Sequence, residues 1–105
     1  MALKRTPNPT FPFFASGIEP GSNEPVALIG KHKTRDVLQD FLANAPGRPD
    51  VEVVGELLAG WPGVKEEFGE LDRDTLAEFL NIYPAAGAKI VEAYIEALTG
   101  ARLGN

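Results

Sequence analysis

The sequence predicts an α+β fold, mostly α, in which an N-terminal β-hairpin is followed by about four short helices. Two extended runs, residues 7–18 and 25–32, flank a Pro20-Gly21 turn, and such a turn between extended runs is typical of a hairpin. From residue 34 onward the apolar residues recur at helical spacing, and proline or glycine separates one helical stretch from the next.

The N-terminal run is rich in proline and phenylalanine. Three prolines within residues 7–12 fix φ and remove backbone donors, so this stretch is extended or lies at a sheet edge. Because alternate side chains of a strand face opposite sides, a two-stranded hairpin cannot bury all of Phe11, Phe13 and Phe14. We expect at least one of them to be covered by a helix of the same chain or by a neighbouring molecule.

Each expected helix has its own start or stop signal. The signals are Thr34, Asp50 and Asp72 as N-caps, Pro84 in the first turn of the last helix, and Gly100 as its C-terminal stop. The second helix is expected to continue through Trp61 and to stop at Pro62-Gly63. We expect a single domain over residues 1–105. Its expected divisions are a β-hairpin arm at 1–33, a helical part at 34–100 and a tail at 101–105.

Composition excludes several classes of site. The 105 residues include no cysteine, which excludes a disulfide scaffold, a thiolate zinc site and a cysteine nucleophile, and the single histidine excludes a multi-histidine metal site. No apolar stretch approaches the ~20 residues that span a bilayer, and the first residues lack the apolar run of a signal peptide. We therefore expect a cytoplasmic protein with no cofactor and no membrane partner.

Charge is unevenly distributed along the chain. Residues 1–35 carry five basic and two acidic side chains, a net charge of +3, whereas residues 36–105 carry five basic and 13 acidic side chains, a net charge of −8. A DNA-binding regulator would depend on the basic run at residues 31–35, but the acidic residues 36–105 would repel the phosphates of DNA. We expect no nucleic-acid partner. The same run beside an acidic helical part permits charge-guided self-association.

The sequence offers no catalytic constellation. His32 lies between two lysines at a strand end, so we interpret it as a solvated surface residue. The carboxylates within residues 66–74 surround a helix start, where acidic side chains suit the helix dipole, and they lack the spacing of a calcium loop. We therefore expect that the protein is not an enzyme.

Aromatic side chains are the remaining candidates for partner binding. Trp61, the only tryptophan, is interpreted either as a core anchor or as an interface residue. The candidate partner-binding residues are Phe11, Phe13, Phe14, Trp61, Phe68, Tyr83 and Tyr94. Because the edges of a hairpin are hard to satisfy within one chain, we also expect homo-oligomers that form through the N-terminal strands.

Several short motifs, in their order and spacing, resemble one family. In this chain they are Thr6-Pro7-Asn8-Pro9-Thr10-Phe11, Lys31-His32-Lys33-Thr34-Arg35-Asp36, Gly60-Trp61 before Glu67-Phe68, Asn81-Ile82-Tyr83-Pro84, Glu92-Ala93-Tyr94 and Leu98-Thr99-Gly100-Ala101-Arg102. Together, over nearly the whole chain, they resemble the tail assembly chaperones of long-tailed, lambda-like bacteriophages and their prophages.

The resemblance implies a non-enzymatic assembly factor in the cytoplasm of the bacterial host. It implies that the protein binds and solubilises the tape-measure protein, recruits the major tail protein during tail morphogenesis, and is absent from the finished virion. The alternative is a small structural tail component of the completion or terminator type, or another non-enzymatic, self-associating interaction module.

Overall fold

The structure is a computed structural model and describes residues 2–100. Its elements, in chain order, are β1 (Thr10–Ala15), β2 (Val26–Lys31), α1 (Arg35–Asn44), α2 (Asp50–Leu57), β3 (Leu58–Gly60), α3 (Lys65–Phe68), α4 (Arg73–Ile82) and α5 (Ala86–Thr99). Among the described residues 46% are helical and 15% are in strands, so the α+β, mostly α prediction is confirmed. The tail predicted at 101–105 lies outside the described residues.

The connection between β1 and β2 contains the predicted Pro20-Gly21 turn. The backbone N–H of Ser22 donates to the Glu19 carbonyl at 3.0 Å, and Gly21 has a φ of +79°. Proline followed by a glycine at positive φ is the arrangement of a type II turn. The predicted hairpin is therefore confirmed in its turn as well as in its strands.

The register of the sheet explains how β1 tolerates a proline. The strand order is β1-β2-β3, so β1 lies at an edge. The His32 N–H donates to the Pro9 carbonyl at 2.8 Å, and Pro12 lies opposite Ile29. Because hydrogen-bonded and non-hydrogen-bonded pairs alternate along an antiparallel ladder, the nitrogen of Pro12 points away from β2. The proline therefore removes no hydrogen bond from the sheet.

The second helix ends earlier than the sequence predicts. α2 stops at Leu57, and β3 follows and pairs antiparallel with β2, so the expectation of a helix through Trp61 is wrong. The apolar pattern does not distinguish the two structures, because Leu58 and Trp61 are buried in the strand and its exit as they would be on a helix. Pairing with β3 provides hydrogen-bond partners for backbone groups on the second edge of β2. These hydrogen bonds stabilise the strand more than continuation of the helix would.

The helix caps follow the sequence only in part. The Asp72 side chain accepts from the Thr75 backbone N–H at 2.9 Å, and the Thr75 hydroxyl accepts from the Asp72 N–H at 3.0 Å, which forms a capping box at α4. Thr34 occupies the N-cap of α1 without a side-chain cap hydrogen bond. At α2 the N-cap is Pro49, one residue before the predicted Asp50.

Glycines end two of the helices. Gly100, with a φ of +74°, is the predicted stop of α5. The single-turn helix α3 was not expected from the sequence, and it ends at Gly69, which has a φ of +85°. A four-residue helix has too few residues to show a 3.6-residue apolar period, so only its terminal glycine marks it.

One hydrophobic cluster joins the strands to the helices. α5 packs on β1, and α2 packs on both α4 and α5. The largest fully buried side chains are Tyr94, Leu28, Leu57, Ile90 and Val54. Helices therefore cover one face of the sheet. No helix within residues 2–100 is long and apolar enough to cross a membrane.

Candidate functional site

Three of the aromatic candidates meet where α5 crosses the sheet. The rings of Phe11, Phe13 and Tyr94, here called the N-terminal aromatic cluster, have centroids 5.5–5.9 Å apart. Phe13 and Tyr94 are buried and Phe11 is half-buried. Of the two coverings expected for the N-terminal phenylalanines, a helix of the same chain covers Phe11 and Phe13.

The backbone of β2 contacts this cluster at Gly30 and Lys31. A Cβ at Gly30 would lie 2.9 Å from Phe11 Cζ and 3.1 Å from Tyr94 Cε2, so the absence of a side chain makes room for both rings. The Tyr94 hydroxyl donates to the Lys31 carbonyl, and burial raises the pKa of Tyr94 to about 12. The cluster fixes α5 to the sheet.

Three of the other candidates form a second group around Trp61. The C-terminal aromatic cluster consists of Trp61, Phe68, Phe79 and Tyr83, with neighbouring centroids 5.3–6.2 Å apart. Trp61 is buried, and its Nε1–H donates to the Gly69 carbonyl at 2.9 Å. Phe79 was not among the candidates. Its helical spacing with Leu76 and Leu80 is typical of a core residue, and the structure places its ring in contact with those of Trp61, Phe68 and Tyr83.

Phe14 lies apart from both clusters and is 63% exposed. It borders a shallow concavity of about 460 Å³ between β1 and α5, here called the Phe14 ledge. The ledge is lined by Pro12, Phe13, Phe14, Ala93, Glu96, Ala97 and Gly100. A large aromatic side chain beside small apolar ones is the composition of a protein contact surface.

An apolar groove lies on the C-terminal aromatic cluster. It has a volume of about 340 Å³, and Phe68, Phe79 and Tyr83 all line it. Its other apolar lining comes from Ile18, Pro25, Val26 and Val64, and its carboxylates are those of Glu19, Glu24 and Glu67. We call it the acidic groove. Phe68 and Tyr83 are half-buried there, so part of each ring faces the groove.

A third concavity, of about 620 Å³, lies between α2, β3 and the start of α4. Its lining carries charges of both signs, three of which are paired with one another. Arg48 makes two hydrogen bonds to the Glu56 carboxylate, at 2.7 and 3.3 Å, and lies 3.7 Å from Glu52. The hydrogen bonding raises the pKa of Arg48 and lowers that of Glu56. Arg48, Glu52 and Glu56 are therefore satisfied within the chain.

Within residues 2–100, no three histidine, aspartate or glutamate side chains come together as a metal site.

Comparison with known proteins decides the family. The sequence profile of the phage tail assembly chaperones matches residues 1–105, the whole of the chain. The chain belongs to the phage tail assembly chaperone family. No curated protein and no solved structure gives a significant match. The family resemblance inferred from the sequence motifs is therefore confirmed.

The candidate aromatic side chains of the chaperone differ in solvent exposure. Phe13, Trp61 and Tyr94 are core residues in this chain, whereas Phe14, Phe68 and Tyr83 keep exposed area beside a concavity. Partner binding by the seven candidates stays a prediction. The Phe14 ledge offers an apolar contact surface, and the acidic groove offers apolar contact together with negative charge.

Proposed function

We propose that this chaperone binds the tape-measure protein, keeps its apolar surface soluble and recruits major tail protein subunits to it during tail morphogenesis. It acts in the cytoplasm of the bacterial host, catalyses no reaction and is absent from the mature virion. The observation that carries the proposal is the family match over residues 1–105.

Two separate surfaces support the proposal, because a factor that brings two tail proteins together needs two areas of contact. The Phe14 ledge lies between β1 and α5. The acidic groove is built from the β1–β2 connection, α3 and α4. Among the described residues the two concavities have no lining residue in common, so a client in one does not fill the other, whereas self-association through β1 would compete for the ledge.

Copies of the chaperone associate through the edge of β1. The edge position of this strand supports the idea, because its outward-facing backbone groups have no strand partner among the described residues. Pro12 has no donor there, so it interrupts the outward-facing backbone groups of β1, and Phe14 lies on its C-terminal side. Burial of the exposed Phe14 ring would stabilise the pair.

The test is retention of tail proteins on the immobilised chaperone. We expect purified tape-measure protein and purified major tail protein each to be retained, and mass spectrometry of purified virions to detect no chaperone. Retention of neither tail protein would contradict the proposal. Detection of the chain in virions at the level of a tail subunit would favour the structural alternative, a completion or terminator component.

A further inference from the structure

The acidic groove differs from the other two concavities in the number and sign of its charges. Three glutamates line it, Glu19, Glu24 and Glu67, and among residues 2–100 no lysine or arginine does. Among residues 2–100 no ion pair involves any of the three. The nearest cation in sequence to Glu67 is Lys65, whose Nζ lies 3.0 Å from Oε1 of Glu70 instead.

The floor beneath these carboxylates is apolar and aromatic. Phe68 and Tyr83 each expose part of a ring there, and Ile18, Val64 and Phe79 are buried below. A cation in such a groove makes two favourable interactions, an ion pair with a carboxylate and a cation–π contact with an aromatic ring. The aliphatic stem of a lysine or arginine, or a neighbouring leucine, suits the apolar floor.

The groove is held open by the backbone. The Gly63 N–H donates to the Ala27 carbonyl at 2.9 Å, which fixes the entry to α3 against β2. A Cβ at Gly63 would lie 2.6 Å from the Ala27 nitrogen, so only glycine permits this approach. On the other wall, the hydrogen bond from the Ser22 N–H to the Glu19 carbonyl fixes the turn that begins at Glu19, and the Glu24 N–H donates to the Ser22 hydroxyl at 3.1 Å. A groove formed in advance lowers the entropy cost of binding.

From the charge and the lining we infer that the acidic groove binds a basic amphipathic segment of a tail-protein client. An aliphatic side chain enters between Phe68 and Tyr83, and a lysine or arginine beside it pairs with Glu24 or Glu67. The volume of about 340 Å³ is at the lower end of the ~300–1,000 Å³ of ligand pockets, so it receives one or two side chains and not a whole helix. That the segment belongs to a tail protein rests on the proposed function. That it is basic and amphipathic is argued from the groove alone.

The chain contains its own reporter for this site. Trp61 is the only tryptophan, and its ring centroid lies 6.2 Å from that of Phe68 and 5.6 Å from that of Phe79. The probe is a synthetic helical peptide of about 15 residues with leucine on one face and lysine beside it. Its matched control is the same peptide with glutamate at every lysine position.

We expect the lysine peptide to change Trp61 fluorescence saturably and the glutamate peptide to leave it unchanged. The double variant Glu24→Lys/Glu67→Lys should weaken binding at least about tenfold. Glu78→Lys/Glu92→Lys changes the net charge equally at exposed positions outside the groove, and should bind as the wild type does. Salt near 1 M should weaken wild-type binding, because the Debye length falls to about 3 Å.

Equal binding of both peptides, or unchanged binding to the groove variant, would overturn the inference. So would absence of peptide binding. If peptide binding is absent and the groove variant loses self-association instead, the occupant is the basic run of a second copy at residues 31–35. The proposed function is judged separately, by retention of the tape-measure protein on the wild-type chaperone. That retention can fail while the peptide binds, and it can succeed while the peptide does not.

Discussion

Gly30 is the residue on which the N-terminal aromatic cluster depends most directly. Its missing side chain lets Phe11 and Tyr94 lie against β2, and any Cβ there would come within 3.1 Å of both rings. The Tyr94 ring is fully buried and has little room to yield, so a Cβ at Gly30 would have to displace the half-buried Phe11 ring and strain the packing. Neither the ring positions nor the role of this glycine was evident from the sequence, because the contact joins residues far apart along the chain.

Gly30→Ala is expected to destabilise the chaperone by about 1–3 kcal/mol, the usual cost of overpacking a core. Urea unfolding followed by Trp61 fluorescence measures the change. The control is Gly60→Ala in β3, where a Cβ would lie 3.5 Å from Ile29, an ordinary contact distance. Equal stability of the two variants would show that the rings do not require the space at Gly30.

Because Tyr94 is buried in the cluster, the stability of the fold is expected to fall at alkaline pH. Burial raises the pKa of its hydroxyl to about 12, above the ordinary value of 10.0. A raised pKa means that the neutral form is favoured by folding, so this contribution is complete below pH 10 and is lost as the pH rises toward about 12. Tyr94→Phe should lack this loss between pH 10 and 12, whereas Tyr83→Phe should retain it. Urea unfolding at stepped pH checks both variants, and equal alkaline loss in wild type and Tyr94→Phe contradicts the assignment.

At the scale of elements, α4 shows how local chemistry fixes a helix start. The sequence predicted Asp72 as its cap, and the capping box with Thr75 confirms it. By contrast, β3 and α3 depend on contacts that a local pattern does not contain. The Leu58–Gly60 strand forms because β2 has an open edge beside it, and its apolar residues suit a helix equally well.

Asp72→Ala should lower the melting temperature at neutral pH. The hydrogen bond from the Thr75 backbone N–H lowers the pKa of Asp72 below 3.8, so the cap stabilises the fold above the carboxyl's unfolded pKa. The part of that stability that depends on the ionised carboxylate is lost as the pH falls through the folded pKa, so the difference between variant and wild type should shrink there. Asp74→Ala, in the same turn but without the capping side chain, is the control for thermal unfolding followed by circular dichroism. An equal effect of both variants would mean that charge near the helix start, not the cap, is responsible.

For the molecule as a whole, the sequence predicted which aromatic residues are candidates for partner binding but not how the fold arranges them. Phe68 and Tyr83 were chosen as single side chains, and the fold brings them to one groove with carboxylates from distant parts of the chain. Glu19 and Glu24 could not be assigned to that groove beforehand, since the path of the β1–β2 connection sets their position. Trp61 and Phe13 are packed inside because the helices cover that face of the sheet.

Phe14→Asp is expected to shift the chaperone toward the monomer without unfolding it, because the side chain is 63% exposed and lies at the free edge of β1. Val37→Asp is the matched control, since Val37 is 50% exposed on α1, away from that edge. Sedimentation velocity over a range of concentrations measures the effect. A wild type that stays monomeric at high concentration, or an equal shift in both variants, would contradict association through β1.

The measurement that tests the function most directly is the soluble fraction of the tape-measure protein when it is expressed with and without this chaperone. We expect the tape-measure protein to be largely insoluble alone, and to become soluble and co-purify with the chaperone when the two are expressed together. A tape-measure protein that stays insoluble, with no chaperone bound to it, would contradict the proposed function.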